Sequence, residues 1–579
     1  MHRKGSLWLF AVIAVMVVLP LVGCQSGQQG ERFAAHYSTA AVAADYPAAS
    51  QAGLEVLQMG GNAVDAAVAT SFALSVVRPQ SCGIGGGGFM LIHLQDDPKH
   101  GTIDRAIDYR ERAPAGIGPD HFENLPKFAS RHSGHAVAVP GTVAGLLHAL
   151  DTYGTLDRRV VLAPAIRLAR EGFAVDAAHR SAIETLATAL SSERRTSFPE
   201  SDAFLLRTYI ERPDDAVITN PYMAQCLQII ADHGAEAFYD GPIAGAIVSA
   251  VQRSGGVMTA NDLRTYRLSE MTPLRGSFMG RTVLAMPLPS SGGITMLETL
   301  GILERFPLIL RGARGSDPDY LHLLAEAFAF AFADRAVYLG DPEFMQHDPT
   351  GQILDPKRIT ARAGRLDMQQ THGPEYYAGA TPLPDDSGTS HFCVVDVNGS
   401  AVSCTETINL TFGSKIAVPE YGFCLNNEMD DFLTRRGEVN AFGLTQSERN
   451  LPEPGKRPLS SMSPTIVLDE DGTVEVVAGA SGGPRIITAT TQAILNVLLL
   501  KRPAGRAVSS PRIHHQWQPD VLGLEPGLMG ISATAGELAA RGHSVVEVKS
   551  SAVVQLIRRT KTGWQAASDP RKGGKPAGY

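Results

Sequence analysis

The sequence predicts an α+β protein built as a layered sandwich, with sheets inside and helices outside. Three observations carry that expectation. Segments 465–468 and 474–478 are strand-like and apolar on both faces, as strands covered on both sides must be. Segment 320–338 (YLHLLAEAFAFAFADRAVY) follows a helical pattern that is apolar nearly all round, so it reads as a buried helix. The texture also changes from helical to strand-like at Thr389, so helices and strands fall in different parts of the chain, as in an α+β fold.

The first 24 residues stand outside that fold. His2-Arg3-Lys4 is a charged opening, and residues 7–22 are apolar apart from Pro20. The apolar run is short of the roughly 20 residues that a membrane-spanning helix needs. It ends in Leu21-Val22-Gly23-Cys24. A small residue followed directly by cysteine resembles a bacterial lipobox. That resemblance implies a signal peptide over 1–23 and a lipid on the Cys24 thiol. Residues 24–33 are largely polar and read as a tether. Gln25 after the cysteine resembles outer-membrane sorting, so the expected place is the bacterial cell envelope, periplasmic side.

The elements then follow in order. Residues 48–77 are rich in small side chains and helical in pattern, with Gly60-Gly61 stopping one helix and Asn62 capping the next. Cys82-Gly-Ile-Gly-Gly-Gly-Gly88 precedes a strand at 89–94. A dinucleotide-binding loop follows its strand, so this order excludes one and leaves a tight backbone turn near a packed element or active site. The stretch 139–341 is dominated by helical patterns, 141–150 among them. Segment 354–386 is irregular and ends in Pro382, Pro384, Asp385 and Asp386, which reads as an exposed loop. Segments 391–395 and 401–405 form a hairpin around Asn398-Gly399. A two-residue turn there sets Cys393 opposite Cys404, leaving a cross-strand disulfide and two buried thiols both open. Segment 486–500 reads as a covering helix.

Composition narrows the function. Among 579 residues, 44% are hydrophobic and 19% charged, which excludes a collagen, a disordered chain and a polytopic membrane protein. The net charge is −8 and the basic residues are scattered, so no nucleic-acid partner is expected. Length alone suggests about four domains. The five cysteines after the leader include no Cys-x-x-Cys, so neither zinc nor a thioredoxin-like motif is expected. His-Glu-x-x-His is also absent.

What stands out is a series of polar residues set into apolar strands and turns. They are Asp108-Tyr109-Arg110-Glu111-Arg112-Ala113-Pro114, Asp386-Ser387-Gly388-Thr389-Ser390-His391 and Thr405-Glu406-Thr407-Ile408-Asn409. Asn426-Asn427-Glu428-Met429-Asp430-Asp431, Pro458-Leu459-Ser460-Ser461-Met462 and Ser481-Gly482-Gly483-Pro484 continue it. With Gly60 to Ala67 (GGNAVDAA), His514-His515-Gln516-Trp517 and the ending Asp569-Pro570-Arg571 to Tyr579, these motifs closely resemble the γ-glutamyltransferase family from about residue 43 onward.

The resemblance implies a four-layer αββα sandwich of the N-terminal-nucleophile hydrolase type. It implies a precursor cut between Gly388 and Thr389, giving a large subunit (34–388) and a small catalytic subunit (389–579) of one domain. Thr389 would be the nucleophile, with its freed α-amino group as base. That amine's usual pKa of about 7.7–8.0 leaves a useful neutral fraction near pH 7. By the same resemblance, Thr407 assists the nucleophile and Gly482 and Gly483 offer N–H groups to the oxyanion. Arg110, Ser460 and Ser461 hold the substrate α-carboxylate, and Asn409, Glu428 and Asp431 its α-ammonium group. Residues 433–455 occupy the place of the lid loop, with Phe442 as its aromatic gate. Ser390 replaces a second threonine common in relatives, and positions 388 and 390 look variable across the family. The implied substrates are glutathione and other γ-glutamyl compounds, with water, amino acids or dipeptides as acceptors. No metal or organic cofactor is expected. A glutaryl- or cephalosporin-type acylase on the same fold, and a lipid-anchored binding protein with an uncut site, are the alternatives.

Overall fold

The computed structural model describes residues 32–192, 197–212, 217–378, 388–444 and 446–579. The leader, Cys24, most of the tether and the proline-rich end of the 354–386 segment therefore lie outside the described residues.

Two seven-stranded sheets form the centre. One runs in the order Ala577–Gly578, Ala41–Ala44, Thr389–Val395, Ala401–Thr407, Gly87–Asp97, Gly101–Asp108 and Ser269–Met271. The other runs Ala34–Tyr37, Gly563–Ser568, Val553–Thr560, Val474–Ser481, Thr465–Leu468, Arg281–Ala285 and Leu274–Phe278. Both sheets take strands from either side of position 388, so the two segments build one sandwich. The sheets meet face to face. Ser403 Oγ donates to the Ala478 carbonyl oxygen at 3.1 Å and accepts from Thr465 N–H at 3.0 Å, tying one sheet to the other.

Alternation along the strand that starts at Thr389 sorts its side chains between two cores. Phe392 and Val394 pack with helix Ala63–Val77 on the outer side, while Cys393 and Val395 face the second sheet. Helices Ser291–Leu303, Pro318–Tyr338 and Arg485–Leu498 cover the far side of that sheet. The order is helices, sheet, sheet, helices, as expected. Asn62 caps its helix with a full capping box against Asp65, also as expected.

Three local expectations need correction. The hairpin loop is longer than a two-residue turn, because Asp396 N–H donates to the Ser400 carbonyl oxygen and Asp396 Oδ1 accepts from Asn398 and Ser400 N–H groups. This moves the register by one residue: Cys404 pairs with Phe392, and Cys393 with Ser403. A one-residue slip turns a side chain to the opposite face. The two thiols therefore sit in different cores, and both are free and buried. Second, the supposed exposed loop contains helix Pro356–Arg365, capped by Asp355, with Ile359 and Ala363 turned inward and Arg358 and Arg362 paired to Asp334. Its strong polar face hid the two inward positions. Third, the helical stretch 139–341 includes the hairpin Leu274–Phe278 and Arg281–Ala285, an edge of the second sheet.

Candidate active site

The hairpin register sets Thr389 directly across from Thr407. Their hydroxyl oxygens are 3.3 Å apart. Thr407 Oγ1 donates to the Gly388 carbonyl oxygen at 2.8 Å and accepts from Asn409 N–H at 2.8 Å. With its single proton committed to Gly388, Thr407 can only accept from the Thr389 hydroxyl. Thr389 is thus oriented, and the carbonyl before it is polarised.

Two glycines make this approach possible. Gly388 has φ +109°, and a Cβ there would stand 2.3 Å from the Asn409 carbonyl oxygen. A Cβ at Gly86 would stand 2.0 Å from the Thr407 carbonyl oxygen. The glycine cluster 83–88 is therefore the expected tight turn beside the site.

At the other end lies a charge cluster. Arg110, just past strand Gly101–Asp108, pairs with Glu428 and, at 2.6 Å, with Asp431 Oδ2. Glu111 stands 3.7 Å from the same guanidinium. One buried cation thus faces three carboxyl groups. Burial pushes the Glu428 and Asp431 pKa values up against the pull of Arg110, and neighbouring carboxylates add to the rise. Burial likewise pushes Glu111 up to about 7. For Arg110, burial works against the charge, but Glu428, Asp431 and Glu111 hold its pKa above the ordinary value. Asn409 Oδ1 is buried and accepts no hydrogen bond from the described residues, while the Glu111 and Glu428 carboxyls lie within hydrogen-bond reach of each other. Three carboxyl groups stand around one guanidinium, and an incoming ammonium group would favour the charged forms of the raised carboxyls.

One cavity brings the expected residues together. Thr389, Thr407, Asn409, Arg110, Glu428, Asp431, Ser460, Ser461, Gly483 and Phe442 all line it. Gly482 lies one residue outside the lining, in the turn between strand Val474–Ser481 and helix Arg485–Leu498. The 433–455 stretch is bound to the acid loop. Asn440 Nδ2 donates to Asp431 Oδ1 at 3.3 Å, Ala441 N–H to Asp430 Oδ2 at 2.9 Å, and Asn450 Nδ2 to the Asp431 carbonyl at 2.7 Å.

Some contributors were not foreseen. Buried Arg335 donates to Ser461 Oγ at 3.2 Å and to Ser291 Oγ at 2.8 Å, and burial brings its pKa down to about 10. A lone arginine in an apolar helix was the available signal. Lys572 Nζ donates to the Thr389 carbonyl oxygen at 2.8 Å and to Asp45 Oδ2 at 2.6 Å. Its separation from Thr389 in sequence left no signal.

Away from the cavity, His322, Glu326 and His543 are buried together and are of metal-ligand type. His322 Nδ1 and His543 Nε2 are 2.7 Å apart. Two nitrogens on one tetrahedral zinc ion stand about 3.3 Å apart, from Zn–N bonds of about 2.0–2.1 Å. The imidazole pair therefore fits one shared proton better than an ion.

The Gamma-glutamyltranspeptidase family model matches residues 49–579. The chain is 39% identical over 531 residues to a glutathione hydrolase proenzyme of Escherichia coli K12, covering 90% of this chain and 89% of that one. It is 36% identical over 596 residues to glutathione hydrolase 2 of Arabidopsis thaliana, covering all of both. Its structure is similar to that of a cephalosporin acylase from Bacillus halodurans, with a TM-score of 0.81 and 25% identity over 94% of this chain and 97% of that one. It is also similar to a gamma-glutamyltranspeptidase from Pseudomonas nitroreducens complexed with L-DON, with a TM-score of 0.52 and 35% identity over 57% of this chain and 94% of that one.

Proposed function

The chain belongs to the gamma-glutamyltranspeptidase family, and within it we propose a γ-glutamyltransferase and glutathione hydrolase that works from Thr389. The fold is the αββα sandwich of the N-terminal-nucleophile hydrolases. The observation that carries the reading is the buried cluster of one guanidinium and three carboxyls opening on the same cavity as Thr389.

The precursor is cut first. The Thr389 hydroxyl attacks the Gly388 carbonyl carbon, whose oxygen already accepts from Thr407. The Gly388–Thr389 C–N bond gives way to an ester, and water releases Gly388 as a carboxylate. This leaves Thr389 with a free α-amine. That amine takes the Thr389 hydroxyl proton as the oxygen attacks the γ-carbonyl of the donor. The C–N bond of the donor breaks and its amine leaves with the proton. Water or an amino-acid or dipeptide amine then attacks the ester and restores the threonine.

Glu428, Asp431 and Asn409 take the donor's ammonium group, whose positive charge offsets the surplus acid. Ser460 and Ser461, backed by Arg335, take its carboxylate together with Arg110. Gly482 and Gly483 face the oxyanion at a helix N-terminus. Phe442 and the lid keep bulk water out. The mechanism draws on no metal or organic cofactor. The leader and Cys24 add export and lipid anchoring in a bacterial envelope.

A glutaryl acylase shares the fold, but a glutaryl group has no ammonium to meet the acid cluster. Turnover of γ-glutamyl-p-nitroanilide and glutathione against glutaryl-7-aminocephalosporanic acid tests the choice. Cleavage of the glutaryl compound alone would overturn the reading.

A further inference from the structure

We propose that the face formed by residues 308–314 and 501–506 is a membrane-docking surface that settles on an anionic phospholipid bilayer. The inference rests on the reading of Cys24 as the lipidated residue.

The face is cationic and has no counter-ions of its own. Arg311, Arg314, Lys501 and Arg506 are exposed, and Arg502 is half-buried. Among the described residues none of these five cations makes an ion pair, in a chain whose net charge is −8. They lie together. A Cβ at Gly315 would stand 2.3 Å from the Arg502 guanidinium, so the turn after Arg314 passes directly against that side chain. Arg502 is held by neutral groups, donating to Asn496 Oδ1 at 2.9 Å and to Ser510 Oγ at 2.7 Å. Burial lowers its pKa, and the nearby charge of Arg506 adds to the fall. The acids that follow Gly315 are committed elsewhere: Asp317 caps helix Pro318–Tyr338, and Asp319 pairs with Arg541.

An apolar side chain stands among these charges. Leu308 and Arg311 are three residues apart on helix Pro307–Gly312 and so share its outer side. Leu308 is 79% exposed. One leucine among five cations makes a poor protein interface, whose centre is depleted in charge. It suits a bilayer interface, where cations meet lipid phosphates and a single apolar side chain enters the headgroup boundary.

The anchor brings this face to the bilayer. Strand Ala34–Tyr37 pairs with Gly563–Ser568, setting His36 opposite Gln565. Gln565 Oε1 accepts from Ala504 N–H at 3.4 Å, so the strand that follows the tether lies beside the helix that carries Arg506. Ala34 is ten residues after Cys24, a reach of at most about 35 Å. A lipid on Cys24 therefore keeps these cations close to the bilayer, and within about 8–10 Å of it their charges are little screened.

The test uses the chain from Gln25 onward, which keeps every described residue and removes the anchor. Sedimentation with phosphatidylglycerol-rich vesicles and with phosphatidylcholine vesicles is measured on this protein and on its Arg311→Glu/Arg314→Glu/Arg506→Glu variant. The three side chains are exposed, and unchanged turnover of γ-glutamyl-p-nitroanilide checks that the variant is folded. The expected result is binding to the phosphatidylglycerol vesicles alone, released by high salt and weakened tenfold or more in the variant. Equal binding by the variant, or none by the parent, overturns the proposal. A polarity-sensitive dye on Leu308→Cys is expected to shift to the blue on the phosphatidylglycerol vesicles. The same dye on Val217→Cys, 51% exposed and next to Ile218 of the opposite core, is expected to stay unchanged. A shift at Val217 with none at Leu308 overturns this face. Absence of labelled palmitate from the wild-type protein would instead count against the lipidated Cys24, and the vesicle experiments decide the face without it.

Discussion

Thr407 and Gly388 are joined by a 2.8 Å hydrogen bond from hydroxyl to carbonyl, beside the Gly388–Thr389 peptide bond. On the proposed mechanism, that contact gives Thr407 a part in self-cleavage as well as in turnover. Thr389→Ala is expected to abolish both fragments and all activity. Thr407→Val is expected to slow fragment appearance by about 10²-fold, the usual loss for one oxyanion donor. Denaturing electrophoresis over time, with N-terminal sequencing of the small fragment, checks both. Fragments starting at 389 in Thr389→Ala would contradict the mechanism.

Gly388 has a backbone reason to be glycine. Its φ is +109°, and a Cβ added there would meet the Asn409 carbonyl oxygen at 2.3 Å, so alanine forces the cleavage turn to shift. Gly388→Ala is expected to lower precursor stability by about 1–3 kcal/mol, the scale of one strained residue. Thermal unfolding in a Thr389→Ala background isolates the strain from processing.

The acid surplus around Arg110 predicts charge-based selectivity. Asp431→Asn removes one of three carboxyls and an Arg110 partner. The expected outcome is a KM for γ-glutamyl-p-nitroanilide raised by 10²-fold or more, with a smaller loss on the glutaryl compound. Equal losses on both substrates would show that Asp431 does not read the ammonium group.

Glu406 gives a pH test on a carboxyl that contacts Ser71 and Tyr109 and does not line the catalytic cavity. Its carboxyl is buried and pushed up to about 7, against hydrogen bonds from Ser71 and Tyr109. A raised native pKa means the contribution to stability is full below the unfolded value near 4.5 and is lost as pH rises through 7. Glu406→Gln has no such loss. The variant is expected to gain about 3 kcal/mol on wild type between pH 4.5 and 8, from about 1.36 kcal/mol per pH unit of displacement. Denaturant unfolding at both pH values checks the sign.

The lipobox reading predicts that Cys24→Ala moves the protein from the membrane fraction to the soluble one without loss of activity. Carbonate-washed membranes and an activity assay on each fraction decide it.

Much of this protein was legible in its sequence. The two-sided apolar strands specified a layered sandwich, because a strand covered on both faces leaves no room for alternation. The candidate site residues came from the motifs that resemble the γ-glutamyltransferase family, since each residue alone also fits an ordinary structural role. Tertiary structure decided their relations. Arg110, 318 residues before Glu428, meets it only because two adjoining parts of one sandwich close on a common cavity. The pairing of Cys393 and Cys404 turned on a hydrogen bond from Asp396, which shifts the register by one residue and divides the thiols between two cores. Arg335 and Lys572 were missed because a lone cation in sequence carries no direction. Its role appears when packing brings a distant hydroxyl or carbonyl within hydrogen-bond range.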